Sequence, residues 1–317
     1  MSEIITLQSY LIPFVGIIFG LFLVVKGADF FLNGAECLAK KFNIPQIIIG
    51  LTIVAIGTSA PEASVSINSA INRINGIAIG NVLGSNIANV LLILGVTSAI
   101  CGLHFKKNTV KFEMPFLIFI TSVLCLMGYY FSEITRICAL ILLLFFGCFL
   151  FYLYKISKKD EQEESKNCPS KMSKILLFLI GGLIALVYGS DLTVDCACKI
   201  AELFNISERI IGLTIIAFGT CLPEFATCLI AAIKKQTDLA VGNIIGSLIF
   251  NLLFALGTAC LIMPVAFEEK FLFDGIVALL STLLLFIFTL KNKKLNKTQG
   301  IIMTVLYFAY IFYLFKH

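Results

Sequence analysis

The sequence predicts an all-α polytopic membrane protein, with ten transmembrane helices arranged as two inverted five-helix repeats. Three observations predict it. Of 317 residues, 59% are hydrophobic and only 14% charged, where a soluble domain carries roughly 25% charged residues. Apolar runs of about 20 residues, each long enough to cross a bilayer, fill nearly the whole chain. One polar motif also occurs twice, at an offset of 162 residues from Ile49 to Ile211. No water-soluble fold of this size could bury so much apolar surface.

Taken in order, hydropathy and helix breakers place the spans at 10–32, 44–71, 76–100, 112–131, 134–154, 174–193, 207–233, 238–263, 271–290 and 299–315. A polar segment, 155–173, separates five from five. Residues 1–154 thus form the first repeat unit and 174–317 the second, with 155–173 as linker. The first apolar stretch lacks a basic leader and a small-residue cleavage site, so it reads as a spanning helix and not as a signal peptide.

Basic residues sort by side. Seventeen lysines fall on one side: 40, 41, 106, 107, 111, 155, 158, 159, 166, 171, 174, 234, 235, 291, 293, 294 and 297. Six Lys and Arg fall on the other: Arg73, Arg136, Lys199, Arg209, Lys270 and Lys316. The positive-inside rule puts the rich side in the cytoplasm, with both termini outside and the linker cytoplasmic. The net charge of +5 comes from these loop lysines. It speaks to topology and gives no reason to expect a nucleic-acid partner.

The eleven cysteines predict neither metal binding nor disulfides. Cys101, Cys125, Cys138, Cys148, Cys228 and Cys260 sit singly in apolar runs, where Cys behaves as a small hydrophobe. Cys196 and Cys198 form a C-x-C with no partner pair. No cofactor is expected.

The repeat is specific. Ile49-Gly-Leu-Thr-Ile-Val-Ala-Ile-Gly-Thr-Ser-Ala-Pro-Glu62 matches Ile211-Gly-Leu-Thr-Ile-Ile-Ala-Phe-Gly-Thr-Cys-Leu-Pro-Glu224. In the same ungapped register Gly80-Asn-Val-Leu-Gly-Ser85 matches Gly242-Asn-Ile-Ile-Gly-Ser247, and Asn89 matches Asn251. Leu94-Gly95 matches Leu256-Gly257, so the repeated cores span about 49–95 and 211–257. Upstream, Asp29 matches Asp191, each read as a cap or interfacial anchor near the end of a span. Chance apolar similarity would not keep Pro, Glu, Asn and Gly in step. An offset of five helices, an odd number, reverses the second copy in the membrane. That is the plan of secondary transporters, with a site at the midplane between the repeats.

Glu62 lies deep in an apolar run, where a bare carboxylate costs a few kcal/mol or more. Pro61 lacks an N–H and clashes with the carbonyl of Gly57, so the helix breaks there and frees carbonyl oxygens. Irregular backbone at that depth is tolerated only where it lines a cavity. Thr58 and Glu62, four apart, share a face. Ser85 and Asn89 repeat that spacing, and Thr220, Pro223, Glu224, Ser247 and Asn251 supply the second set. A lone Ser, Thr or Asn in a membrane helix is more often glue between helices. Here each stands in register with its twin and beside a glutamate, which favours a ligand role. The set is hard oxygen, suited to sodium or calcium and not to soft metals.

These motifs resemble the α-repeats of the cation/calcium exchanger superfamily, in its sodium/calcium exchanger branch of compact prokaryotic type. The resemblance covers essentially the whole chain. It implies electrogenic antiport of several sodium ions for one calcium by alternating access, with the first and sixth helices sliding over the other eight. Carried over by position, Thr58, Glu62, Thr220 and Glu224 would hold calcium. Sodium and shared positions would add Ser59, Ser85, Asn89, Ser247, Asn251 and the carbonyls of Ala55 and Ala217. It also implies a multi-pass plasma-membrane protein working as a monomer, whose partners are the lipid bilayer and the transported ions.

Two departures stand out. Asn251 replaces an aspartate common in the family, which leaves both central amides neutral and argues against potassium co-transport. Cys221 replaces the serine expected after Thr220, which weakens one sodium site. The proton-coupled branch carries a glutamate inside the Gly-Asn motif, absent here. The 155–173 linker leaves no room for a calcium-sensing domain. The alternatives are coupling to protons or potassium or, in another class, a cation channel. An intramembrane hydrolase lacks its dyad, since the histidines are His104, in a loop, and His317.

Overall fold

The computed structural model describes residues 2–74, 76–157, 171–204 and 217–316. The chain is built from helices: α1 (Ser2–Lys41), α2 (Gln46–Thr58), α3 (Ala60–Ile71), α4 (Ile77–Cys101), α5 (Thr109–Phe131), α6 (Arg136–Ile156), α7 (Met172–Leu203), α8 (Ala217–Thr220), α9 (Leu222–Ile233), α10 (Thr237–Ile262), α11 (Glu269–Leu290) and α12 (Lys297–Lys316). Among the described residues seven helices are long and apolar enough to cross a membrane, or eight with the bent pair α2–α3 as one span. Residues 211–216 of the second motif and 158–170 of the linker lie outside the described residues.

Burial sorts the helices into a core and a shell. The apolar windows of α4 and α10 are 78% and 83% buried, while those of α1, α5, α6, α7 and α11 lie between 28% and 39%. The shell presents Phe14, Phe19, Ile137, Leu144, Ile184 and Phe312 outward. That is the expected surface where the surrounding solvent is lipid. Helices α1 and α7 cross at close range. A Cβ on Gly27 would meet the Gly182 carbonyl at 2.8 Å, and one on Gly189 the Gly20 carbonyl at 2.8 Å. Small residues at such crossings let two backbones touch in lipid.

Local geometry recurs at the 162-residue offset. Arg73 and Lys235 take left-handed φ of 57° and 63°, each just past a helix end. Strands β1 (Leu103–His104) and β3 (Val265–Ala266) occupy the same register positions. β1 pairs with β4 (Lys294–Leu295), and β3 with β2 (Glu133–Ile134), both antiparallel. Each pairing joins one half of the chain to the other. Lys106 bonds Asp238 at 2.7 Å, which brings two loops assigned to the lysine-rich side together.

Two expectations need correcting. Helix α1 runs on to Lys41 and α7 spans Met172–Leu203, so Asp29 and Asp191 lie inside helices and cap nothing. A hydropathy window ends at charged residues, but a helix with a packed partner continues through them. Cys37 is disulfide-bonded, against the expectation of none; nine other cysteines are free. Unforeseen π-helical turns interrupt the ladder at Gly50–Val54, Ala88–Leu94, Thr109–Glu113 and Asn251–Ala255.

Candidate functional site

Two helix breaks build the site. Ser59 separates α2 from α3 at φ −88°, ψ 9°, with a bend of 49°. Cys221 separates α8 from α9 at φ −86°, ψ 1°. Each following proline, Pro61 or Pro223, stands in the first turn of a fresh helix, where a missing N–H costs nothing. The expected break is there, as a full restart and not a kink. The restart places Glu62 and Glu224 in the first helical turns, where the helix dipole favours negative charge.

Both glutamates are fully buried at 0% exposure and are electrostatic neighbours. Glu224 Oε1 accepts from Ser59 Oγ at 2.7 Å, a bond across the two halves. Glu224 Oε2 and both oxygens of Glu62 have no hydrogen-bond partner. The Cys221 thiol lies beside both carboxylates. Thr58 Oγ1 donates to Asn243 Oδ1 at 3.0 Å. Asn251 Nδ2 donates to Ser85 Oγ at 3.4 Å, and Ser85 Oγ to the Asn81 carbonyl at 2.7 Å. Asn251 Oδ1, Ser247 Oγ and both polar atoms of Asn89 are buried without a partner.

The other predicted residues fare as follows. The Ala55 carbonyl accepts from the Ser59 N–H at 3.0 Å and lies 3.3 Å from Thr58 Oγ1. Thr220 lines a cavity beside the second break. Ala217 opens α8, and only its backbone is described. Contacts therefore tie Thr58, Ser59, Glu62, Glu224 and Cys221 together, and separately Ser85 and Asn251. Asn89 and Ser247 are buried on the core helices, with no bond linking them to the glutamates.

Buried unpartnered polar atoms are rare, and each costs about 1–3 kcal/mol. Three of them are oxygens of Glu62 and Glu224, and Asn89, Ser247 and Asn251 of the repeated motifs add four more. Among the described residues no group of three or more His, Cys, Asp and Glu is placed to hold a metal ion. The donor set is hard oxygen, which matches a sodium or calcium ion.

Sequence reasoning passed over several participants. Asn243 and Asn81 stand in the repeated Gly-Asn pair, and the in-register test applied to Asn89 would have found them. Ser190 Oγ donates to the Gly219 carbonyl at 2.9 Å, the carbonyl that Pro223 leaves without its N–H. Nothing in the local sequence of α7 signals that contact.

Access differs between the two ends. A cavity of about 390 Å³ reaches Thr220, Gly219 and Pro61 and is lined by Ser190, Asp191 and Asp195. At the register-equivalent end, Asp29 pairs with Lys234. Lys234 Nζ also donates to Asn33 Oδ1 at 2.9 Å, and Gln236 Nε2 to Glu36 Oε2 at 2.5 Å. These contacts seal α1 onto the turn between α9 and α10.

Comparison with known proteins adds the last observations. The family described as sodium/calcium exchanger protein matches residues 12–155 and 174–316. The sodium/calcium exchanger MaX1 of Methanosarcina acetivorans is 30% identical over 96% of this chain and 99% of its own. The uncharacterized membrane protein MJ0091 of Methanocaldococcus jannaschii is 35% identical over 91% of this chain and 93% of its own. A structure of the sodium-calcium exchanger NCX_Mj, soaked with zero Na+ and Ca2+, superposes with a TM-score of 0.85 at 34% identity. It covers 96% of this chain and 99% of that one.

Proposed function

The chain belongs to the sodium/calcium exchanger protein family, and from that premise we propose that it is a secondary antiporter exchanging several sodium ions for one calcium ion. The observation that carries this reading is the pair of buried carboxylates with three of their four oxygens unpartnered. Two formal charges offset one divalent cation, and a buried charge needs such a counterion. More than two sodium ions per calcium makes each cycle electrogenic. The protein carries ions and is not an enzyme.

In this reading Thr58, Glu62, Thr220 and Glu224 hold calcium. Ser59, Ser85, Asn89, Ser247, Asn251 and the carbonyls of Ala55 and Ala217 complete the sodium and shared positions. Ten spans form two inverted five-helix repeats, with α2–α3 and α8–α9 as the broken spans. Inversion puts the cage at the midplane. Helices α1 and α7 slide over the rest, helped by their glycine-lined crossing. The cavity at Asp191 and Asp195 is the route from outside, and the Lys234 contacts close the cytoplasmic route. The protein sits in the plasma membrane with both termini outside and works as a monomer, since one chain supplies both halves of the cage.

Asn89 and Asn251 are both neutral, which disfavours potassium, and no glutamate stands inside either Gly-Asn motif, which disfavours protons. The test is calcium flux in sealed vesicles, with sodium, potassium or proton gradients imposed in turn. A sodium gradient should drive calcium, and the flux should respond to membrane potential. Calcium moved by a proton gradient and not by sodium overturns the coupling. Trapped calcium that fails to accelerate uptake of labelled calcium favours a channel.

A further inference from the structure

We infer that Asn243 sets calcium affinity as a positioning residue, by drawing the Thr58 hydroxyl proton toward itself so that the oxygen is free to face the cation. This rests on the exchanger reading above. Asn243 stands on α10 and is fully buried. Its Oδ1 lies 3.0 Å from Thr58 Oγ1, and its Nδ2 lies 2.7 Å from Thr227 Oγ1. An amide has an accepting end and a donating end, and the surrounding network decides which is which. Thr227 has one proton, and that proton goes to the Pro223 carbonyl at 2.7 Å. Toward Asn243 its oxygen therefore accepts, which fixes the amide nitrogen on the Thr227 side and the amide oxygen on the Thr58 side.

Thr58 likewise has one proton. Its other backbone acceptor, the Ala55 carbonyl, is farther at 3.3 Å and already takes the Ser59 N–H. The Glu224 carboxylate also lies beside Thr58. Without Asn243, that carboxylate is the strongest acceptor in reach. The Thr58 proton would then turn into the cage, occupying a carboxylate oxygen and facing the cation with a hydrogen. Asn243 wins the proton and leaves both oxygens available. The contact crosses between halves: an α10 side chain sets a ligand at the end of α2, and its anchor, Thr227, is on α9.

The first half is built differently: Val65 stands where Thr227 stands in the second, and the hydroxyl beside the amide is that of Ser66, which donates to the Glu62 carbonyl at 2.9 Å. Asn81, the register partner of Asn243, instead donates to the Glu62 carbonyl and to Ser66 Oγ, both at 3.0 Å.

The test is a calcium titration of the purified full chain together with initial rates of sodium-driven calcium flux. Asn243→Leu should weaken calcium affinity about tenfold, the worth of one hydrogen bond, with the maximal rate changed by less than about twofold. In a Thr58→Val background the same change should cost nothing further, because the group it acts through is gone. Thr227→Val should give a smaller loss, about threefold, that also vanishes in the Thr58→Val background. It carries the test if Asn243→Leu does not fold, as judged by the unfolding midpoint without calcium. Additive losses in the double variants, or unchanged affinity in the single ones, overturn the inference while leaving the exchanger reading intact. A wild-type chain that neither binds nor moves calcium overturns both.

Discussion

The two helix breaks share a backbone and differ in what holds them. Ser59 and Cys221 have nearly the same φ and ψ, and a proline follows each two residues later. At the second break Glu224 receives the Ser59 hydroxyl and the Gly219 carbonyl receives Ser190. At the first break Glu62 faces a thiol, a weak donor, and neither of its oxygens is bonded. The position equivalent to Ser190 is Ala28, which has no hydroxyl. One carboxylate is therefore held by a protein contact, and the other has no hydrogen-bond partner among the described residues. The lesson is that sequence symmetry fixes where a ligand stands, while the few unmatched residues decide how firmly it is held.

The comparison can be broken in several places. Glu62→Gln and Glu224→Gln remove a formal charge each, and each should abolish calcium flux in vesicles, a loss of at least about a hundredfold. Near-normal flux in either variant would misplace the site. Ser59→Ala removes the hydrogen bond from Ser59 to Glu224, and calcium affinity should fall about tenfold, read by titration. Cys221→Ser should sharpen the comparison from the other side. A hydroxyl beside Glu62 would give it the partner Glu224 already has, strengthening sodium affinity about threefold and leaving calcium affinity unchanged. Smallest of all, Lys234→Met removes a part-exposed ion pair worth about 1 kcal/mol or less. It should speed modification of a cysteine placed at Asn33 by less than about fivefold, measured with a water-soluble thiol reagent.

The breaks were legible in the sequence because Pro, Gly and Glu repeat in one register, and each restricts the backbone or costs energy in lipid. The grouping of lysine-rich loops was legible, since Lys106 bonds Asp238 and Lys294 pairs with His104. The π-turns that carry Asn89 and Asn251 were not, because a π-turn widens a helix by one residue and leaves no composition signal. Helix ends at Lys41 and Leu203 were missed because packing of α1 on α7 outweighs local polarity. Ser190 and Lys234 were invisible for the same reason: their partners lie 29 and 205 residues away, at Gly219 and Asp29.

The central claim is that Glu62 and Glu224 are two halves of one cage and not two independent sites. Calcium-binding stoichiometry of the purified chain tests it most directly, comparing wild type with Glu62→Gln and Glu224→Gln. The account predicts one calcium per wild-type chain and loss of that single site in either variant. Two calcium ions per wild-type chain, with one surviving in each variant, would contradict it.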